Sequence, residues 1–89
     1  MSEEPRDVER AYPTDEVVAK LRRLADALES GKTFRIQVAG ERIRVPKRAR
    51  LSIEHERGDD EEEVEFQLKW ALADLPDDED EDDAPVVEL

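Results

Sequence analysis

Along Val64-Glu65-Phe66-Gln67-Leu68-Lys69-Trp70 every second residue is apolar, and a period of two belongs to a strand with one buried and one wet face. Upstream, Leu51, Ile53 and His55 alternate with Ser52, Glu54 and Glu56. Pairing Ile53 with Phe66 sets Leu51 opposite Leu68 and His55 opposite Val64, so the two runs form a hairpin closed by the polar loop 57–63. A second hairpin precedes it. Phe34, Ile36 and Val38 alternate with Arg35 and Gln37, and Ile43 and Val45 with Arg42 and Arg44. If Val38 faces Ile43 and Ile36 faces Val45, the connection is the two-residue turn Gly40-Glu41, with glycine where a type II′ turn wants it. Pro46 ends this strand, because it has no N–H for a ladder.

The period changes before Phe34. Val17, Leu21, Leu24 and Leu28 are spaced by four, three and four, and Val18 and Ala25 widen the stripe, which predicts an amphipathic helix over 15–30. Thr14 stands at the N-cap position, Asp15 and Glu16 complement the positive end of the dipole, and Gly31 is the stop signal. Residues 8–12 are a candidate edge strand, with Val8, Arg10 and Tyr12 on one face. The elements therefore read helix, hairpin, hairpin. One apolar helix face covers one apolar sheet face, so the expected fold is α+β: an amphipathic helix on a four-stranded antiparallel sheet. Its core would hold Phe34, Ile36, Val38, Ile43, Val45, Leu51, Ile53, Phe66, Leu68 and Trp70 against Val17, Leu21, Leu24 and Leu28.

The helix 15–31, the hairpin around Gly40 and the closing strand ending in Trp70 together resemble the Amphi-Trp domain over residues 8–70. This is a small prokaryotic family named for an amphipathic terminal strand that ends in tryptophan. The resemblance implies a domain boundary near Trp70 and carries no catalytic residue. Residues 1–7 and 71–89 then flank the domain as a disordered N-terminus and a disordered acidic tail.

Charge changes the picture more than composition does. Of 26 acidic residues in the 89, nine lie in 71–89 with no base, leaving seventeen acids against fourteen bases in 1–70. The tail supplies most of the net charge of −12. Its seven consecutive acids, 77–83, self-repel and cannot enter a core. They read as a solubilising extension, an interaction tail for a basic partner, or a cover for a basic face. The sequence has no cysteine, hence no disulfide or thiolate site. It shows neither an export signal nor a membrane-length apolar run, so a cytoplasmic location is expected.

The basic face is the candidate chemistry. Lys32, Arg35, Arg42, Arg44, Lys47, Arg48 and Arg50 fall within nineteen residues, with Glu41 the one acid among them. Arginine binds phosphate or carboxylate through paired hydrogen bonds, making Arg35, Arg42, Arg44, Lys47, Arg48 and Arg50 candidate anion-binding residues. The alternative is a solvated face balanced by Glu54, Glu56 and Glu65. Nucleic acid is the less favoured ligand, since Phe34 and Phe66 have buried parity and leave no stacking platform.

Ala84-Pro85-Val86-Val87-Glu88-Leu89 restores apolar residues after the acidic run, and an extended end of this kind could add to a partner's sheet edge. Val86, Val87 and Leu89, with Trp70 as either core or contact residue, are the candidate partner-binding residues. His55, the only histidine, reads as a partly buried strand residue whose ring nitrogens meet water or Glu62 and its neighbours. Arg57-Gly58-Asp59 reads as a turn. No paired acid and base, glycine-rich cradle or activated nucleophile is present, so neither catalysis nor a metal or cofactor is expected. The leading expectation is a non-enzymatic protein-binding domain with an acidic interaction tail. The alternative is an anion or nucleic-acid binder held in check by that tail. No membrane partner is expected, and an open sheet edge admits a homodimer.

Overall fold

The computed structural model describes residues 5–74 and 85–89. Its elements are α1 (Thr14–Glu29), β1 (Phe34–Val38), β2 (Glu41–Val45), β3 (Arg50–Arg57), β4 (Glu62–Lys69), a 3-10 turn (Leu72–Asp74) and β5 (Val86–Glu88). The α+β class and both hairpins stand as expected. The acidic run 77–83, expected to be disordered, lies outside the described residues, as do residues 1–4.

Helix α1 begins one residue earlier than a Thr14 cap implies. Pro13 is the N-cap, extended at φ −63°, ψ 155°, and its carbonyl accepts from the N–H groups of Glu16 and Val17 at 3.0 and 3.1 Å. Thr14 is thus the first helical residue, and no side chain caps the helix. At the other end Ser30 Oγ donates to the Ala27 carbonyl at 2.7 Å and Gly31 turns out at φ 72°. Residues 8–12 form no strand. Tyr12 instead ties the segment down, its hydroxyl donating to the Leu89 carbonyl and its ring lying 4.5 Å from Lys20 Nζ.

The four hairpin strands do not form one sheet. β2-β1-β5 make a three-stranded sheet and β3-β4 a separate two-stranded one. Pro46 closes β2, and a tight turn with Ala49 N–H on the Pro46 carbonyl at 3.1 Å sends β3 away from the β2 edge. The place beside β1 is taken by β5, which runs parallel to it: Ile36 pairs with Val87, and the Arg35 N–H donates to the Pro85 carbonyl at 2.9 Å. The last residues, grouped by sequence with the tail, therefore belong to the folded unit.

The register of the second hairpin matches expectation, with Leu51 opposite Leu68, Ile53 opposite Phe66 and His55 opposite Val64. Its strands run further than expected, to Arg57 and Glu62. The first hairpin differs. Phe34 pairs with Val45, Ile36 with Ile43 and Val38 with Glu41, so the turn is Ala39-Gly40. Both turn residues have positive φ, 49° and 82°, which is the type I′ turn whose twist suits a two-residue hairpin.

The core is small. Ala27, Phe34, Ile36, Val45 and Val87 are buried, with Leu24, Val38, Ala49, Leu68, Trp70 and Leu89 partly buried around them. Of the expected core, Leu21, Leu28, Leu51, Ile53 and Phe66 are exposed. A helix of sixteen residues, about 24 Å long, covers the three-stranded sheet and leaves the second hairpin uncovered beyond its base.

Candidate interaction surface

Strands β3 and β4 pack on each other and barely on the other described elements. Strand parity puts Leu51, Ile53, Val64, Phe66 and Leu68 on one face, and at its base Leu68, with Trp70 and Ala49 beside it, reaches the core. Further out the face is bare: Leu51, Ile53, Val64 and Phe66 are 58%, 66%, 61% and 70% exposed. The groove beside the base, about 570 Å³, is lined by Arg50, Leu68, Lys69, Trp70, Ala71 and Leu72. Trp70 is thus half-buried, packed on the core with part of its surface in this groove.

The distal end of the same face is polar. Glu62 Oε2 accepts from Arg57 Nη2 at 2.9 Å and meets His55 Nε2 at 2.8 Å. These bonds, from His55 first and then Arg57, hold the Glu62 carboxyl below its ordinary range. His55 is exposed, where the sequence suggested partial burial, although Glu62 is among the partners expected for its ring. On the opposite face Glu54 lies across from Glu65, and Glu56 from Glu63. The Gln67 amide donates to Glu54 at 2.9 Å and to Glu65 at 3.1 Å, bridging the first like-charged pair. Glu63 has no such bridge, and the charges of Glu65 and then Glu56 push its carboxyl above the ordinary range.

The basic residues are divided between the two sheets. Arg35 sits directly opposite Arg44 and Gln37 opposite Arg42, so three arginines share the solvent face of β1-β2, with Arg42 donating to Gln37 Oε1 at 3.2 Å. Lys47 and Arg48 are exposed in the following turn. Arg50 belongs to the other sheet, opposite Lys69. Glu54, Glu56 and Glu65, suggested as a balance for the arginines, are also in that other sheet. Arg6 reaches the β1-β2 turn from the N-terminal segment, pairing with Glu41 at 2.9 Å and donating to the Val38 carbonyl at 2.9 Å.

Val86, Val87 and Leu89 are engaged within the chain. Val87 is buried under α1, and the Leu89 N–H donates to the Gln37 carbonyl at 2.7 Å. Phe66 was missed as a surface residue because alternation reveals which side chains share a face, not whether anything covers it. Among the described residues no cluster of His, Asp and Glu could hold a metal ion, and no helix is long and apolar enough to cross a membrane.

These features define a small α+β domain in which the amphipathic strand β4 runs into Trp70. That is the build of the Amphi-Trp domain family, and the chain belongs to it: the family model matches residues 1–86. Neither a curated protein nor a solved structure matches the chain.

Proposed function

We propose that this chain is a non-enzymatic protein-binding domain whose contact surface is the apolar face of β3-β4. The exposure of Leu51, Ile53, Val64 and Phe66 side by side carries the reading. A contiguous apolar patch rimmed by charges is the signature of an interaction site, and a large aromatic at its centre suits a binding anchor. In the exposed His55-Arg57-Glu62 cluster at the rim both bases bond the Glu62 carboxylate, which suits orientation of a partner better than acid–base chemistry. A chain without cysteine is suited to the reducing cytoplasm, where we place it.

A photo-reactive amino acid at Ile53, set against the same group at Ser52 on the opposite face, tests this. Protein adducts from position 53 well above those from position 52 are expected. Equal or absent adducts at both would sink the reading.

The juxtaposition of Arg35, Arg42 and Arg44 on one sheet face favours a second reading, an anion-binding face. Phe66 is exposed after all, but it lies in the other sheet and offers these arginines no stacking partner. Salt-sensitive binding of a labelled oligonucleotide by the full chain, lost in Arg35→Gln, would support it; no binding at low salt would end it.

A further inference from the structure

Among the described residues, two apolar surfaces lack a partner. One is the hairpin face just described. The other runs along α1, where Val18, Leu21, Ala25 and Leu28 recur at spacings of three, four and three beside the stripe that contacts the core. Val18, Leu21 and Leu28 are 40%, 51% and 36% exposed. A small cavity lined in part by Leu28 and Leu51 joins the end of this stripe to the base of the hairpin.

We infer that the occupant of both surfaces is a second copy of this chain, docked about a two-fold axis so that each hairpin lies over the other copy's helix stripe. The inference rests on the protein-binding reading and names its partner. Symmetry makes the arrangement self-consistent, because hairpin-on-helix in one direction repeats as helix-on-hairpin in the other. The area is also sufficient. The four hairpin residues expose roughly 450 Å² and the helix stripe about 200 Å², so two copies have up to about 1,300 Å² of such surface to bury, which reaches the lower end of stable interfaces.

Charge selects this arrangement over hairpin against hairpin. Residues 50–69 hold eight acids against Arg50, Arg57 and Lys69, a net of −5. Residues 30–49 hold six bases against Glu41, a net of +5. Stacked hairpins would oppose −5 to −5. The reciprocal pairing instead lays the hairpin over a helix whose residues 14–29 hold four acids and three bases, a net of −1, and which ends beside Lys32 and Lys47, so the like-charge opposition is relieved.

The cysteine-free chain permits a direct test. Sedimentation of the full-length protein should show a dimer, and Phe66→Ser and Leu21→Ser should each weaken it roughly tenfold or more while leaving the circular dichroism unchanged. Both residues are exposed within one copy, so neither change should unfold it. Gln67→Ala, on the opposite hairpin face, should leave the dimer intact. A mixture of Leu21→Cys and Phe66→Cys chains should give a crosslinked heterodimer with a short bis-maleimide.

A monomer at several hundred micromolar, a dimer indifferent to Leu21→Ser, or crosslinks confined to Phe66→Cys with itself would each overturn the inference. If the chain is a monomer and position 53 still yields protein adducts, the second copy falls and the protein-binding reading stands. If those adducts are absent as well, both fall.

Discussion

Ala39 carries a conformational cost that its neighbour avoids. Its φ of 49° lies in the left-handed region, where a Cβ is disfavoured by about 1–2 kcal/mol, whereas Gly40 takes φ 82° freely. Asn-Gly is the preferred pair for this turn, so Ala39→Asn should stabilise the domain by about 1 kcal/mol, raising its melting temperature by roughly 4–8 °C in a thermal scan. The glutamates of the second hairpin make a prediction in pH. Glu63, raised by Glu65 and Glu56, binds its proton more tightly folded than unfolded; its stabilising contribution is present below the ordinary carboxylate pKa and lost as pH rises through the raised value. Glu62 has the opposite sign. Its contribution is present above the ordinary value and is lost as pH falls through its lowered one. At neutral pH, Glu63→Gln should therefore raise the melting temperature and Glu62→Gln lower it. On acidification the Glu63 difference should vanish first.

At the scale of elements, β5 is the piece on which the small core depends. Its central Val87 is one of five residues in the buried apolar cluster among the described residues and packs between β1 and α1, while Val86 beside it is exposed. Val87→Ala should cost about 2 kcal/mol, read as a lowered urea midpoint, and Val86→Ala should be close to neutral. A chain cut after Trp70 would lose this strand along with the acidic run, so the role of the acids is better tested by neutralising 77–83 in the full chain. The helix teaches a related point. Leu21 and Leu28 satisfy the apolar period as well as Leu24 does, yet Ala27 is the helical residue that is buried. Close approach of α1 to β5 favours the small side chain at the centre of contact, a preference that hydrophobic periodicity does not register.

For the whole molecule, two hairpins with apolar faces suggested one sheet under one helix. The chain instead builds its sheet from β1, β2 and the distant β5, and the second hairpin extends from that core by its base. The arginines were legible as a cluster, and their division between two sheets was not, because it depends on where the chain turns after Pro46. Exposure of Phe66 and Ile53 was hidden for the same reason. Their alternation is equally consistent with contact to the chain's own helix and with contact to another molecule.

Local rules decided what the sequence could decide. Periods of 3.6 and 2 located the helix and four of the strands, and cross-strand apolar matching set the second hairpin's register, because these depend on neighbours a few residues away. The order of elements and Trp70 pointed to the family. Tertiary structure decided the rest: that β5 completes the sheet, that the first hairpin turns at Ala39-Gly40, and that the hairpins lie in separate sheets. Each of these turns on competition for the same edge or face between segments far apart in the chain, and an apolar pattern marks such a face without naming what will cover it.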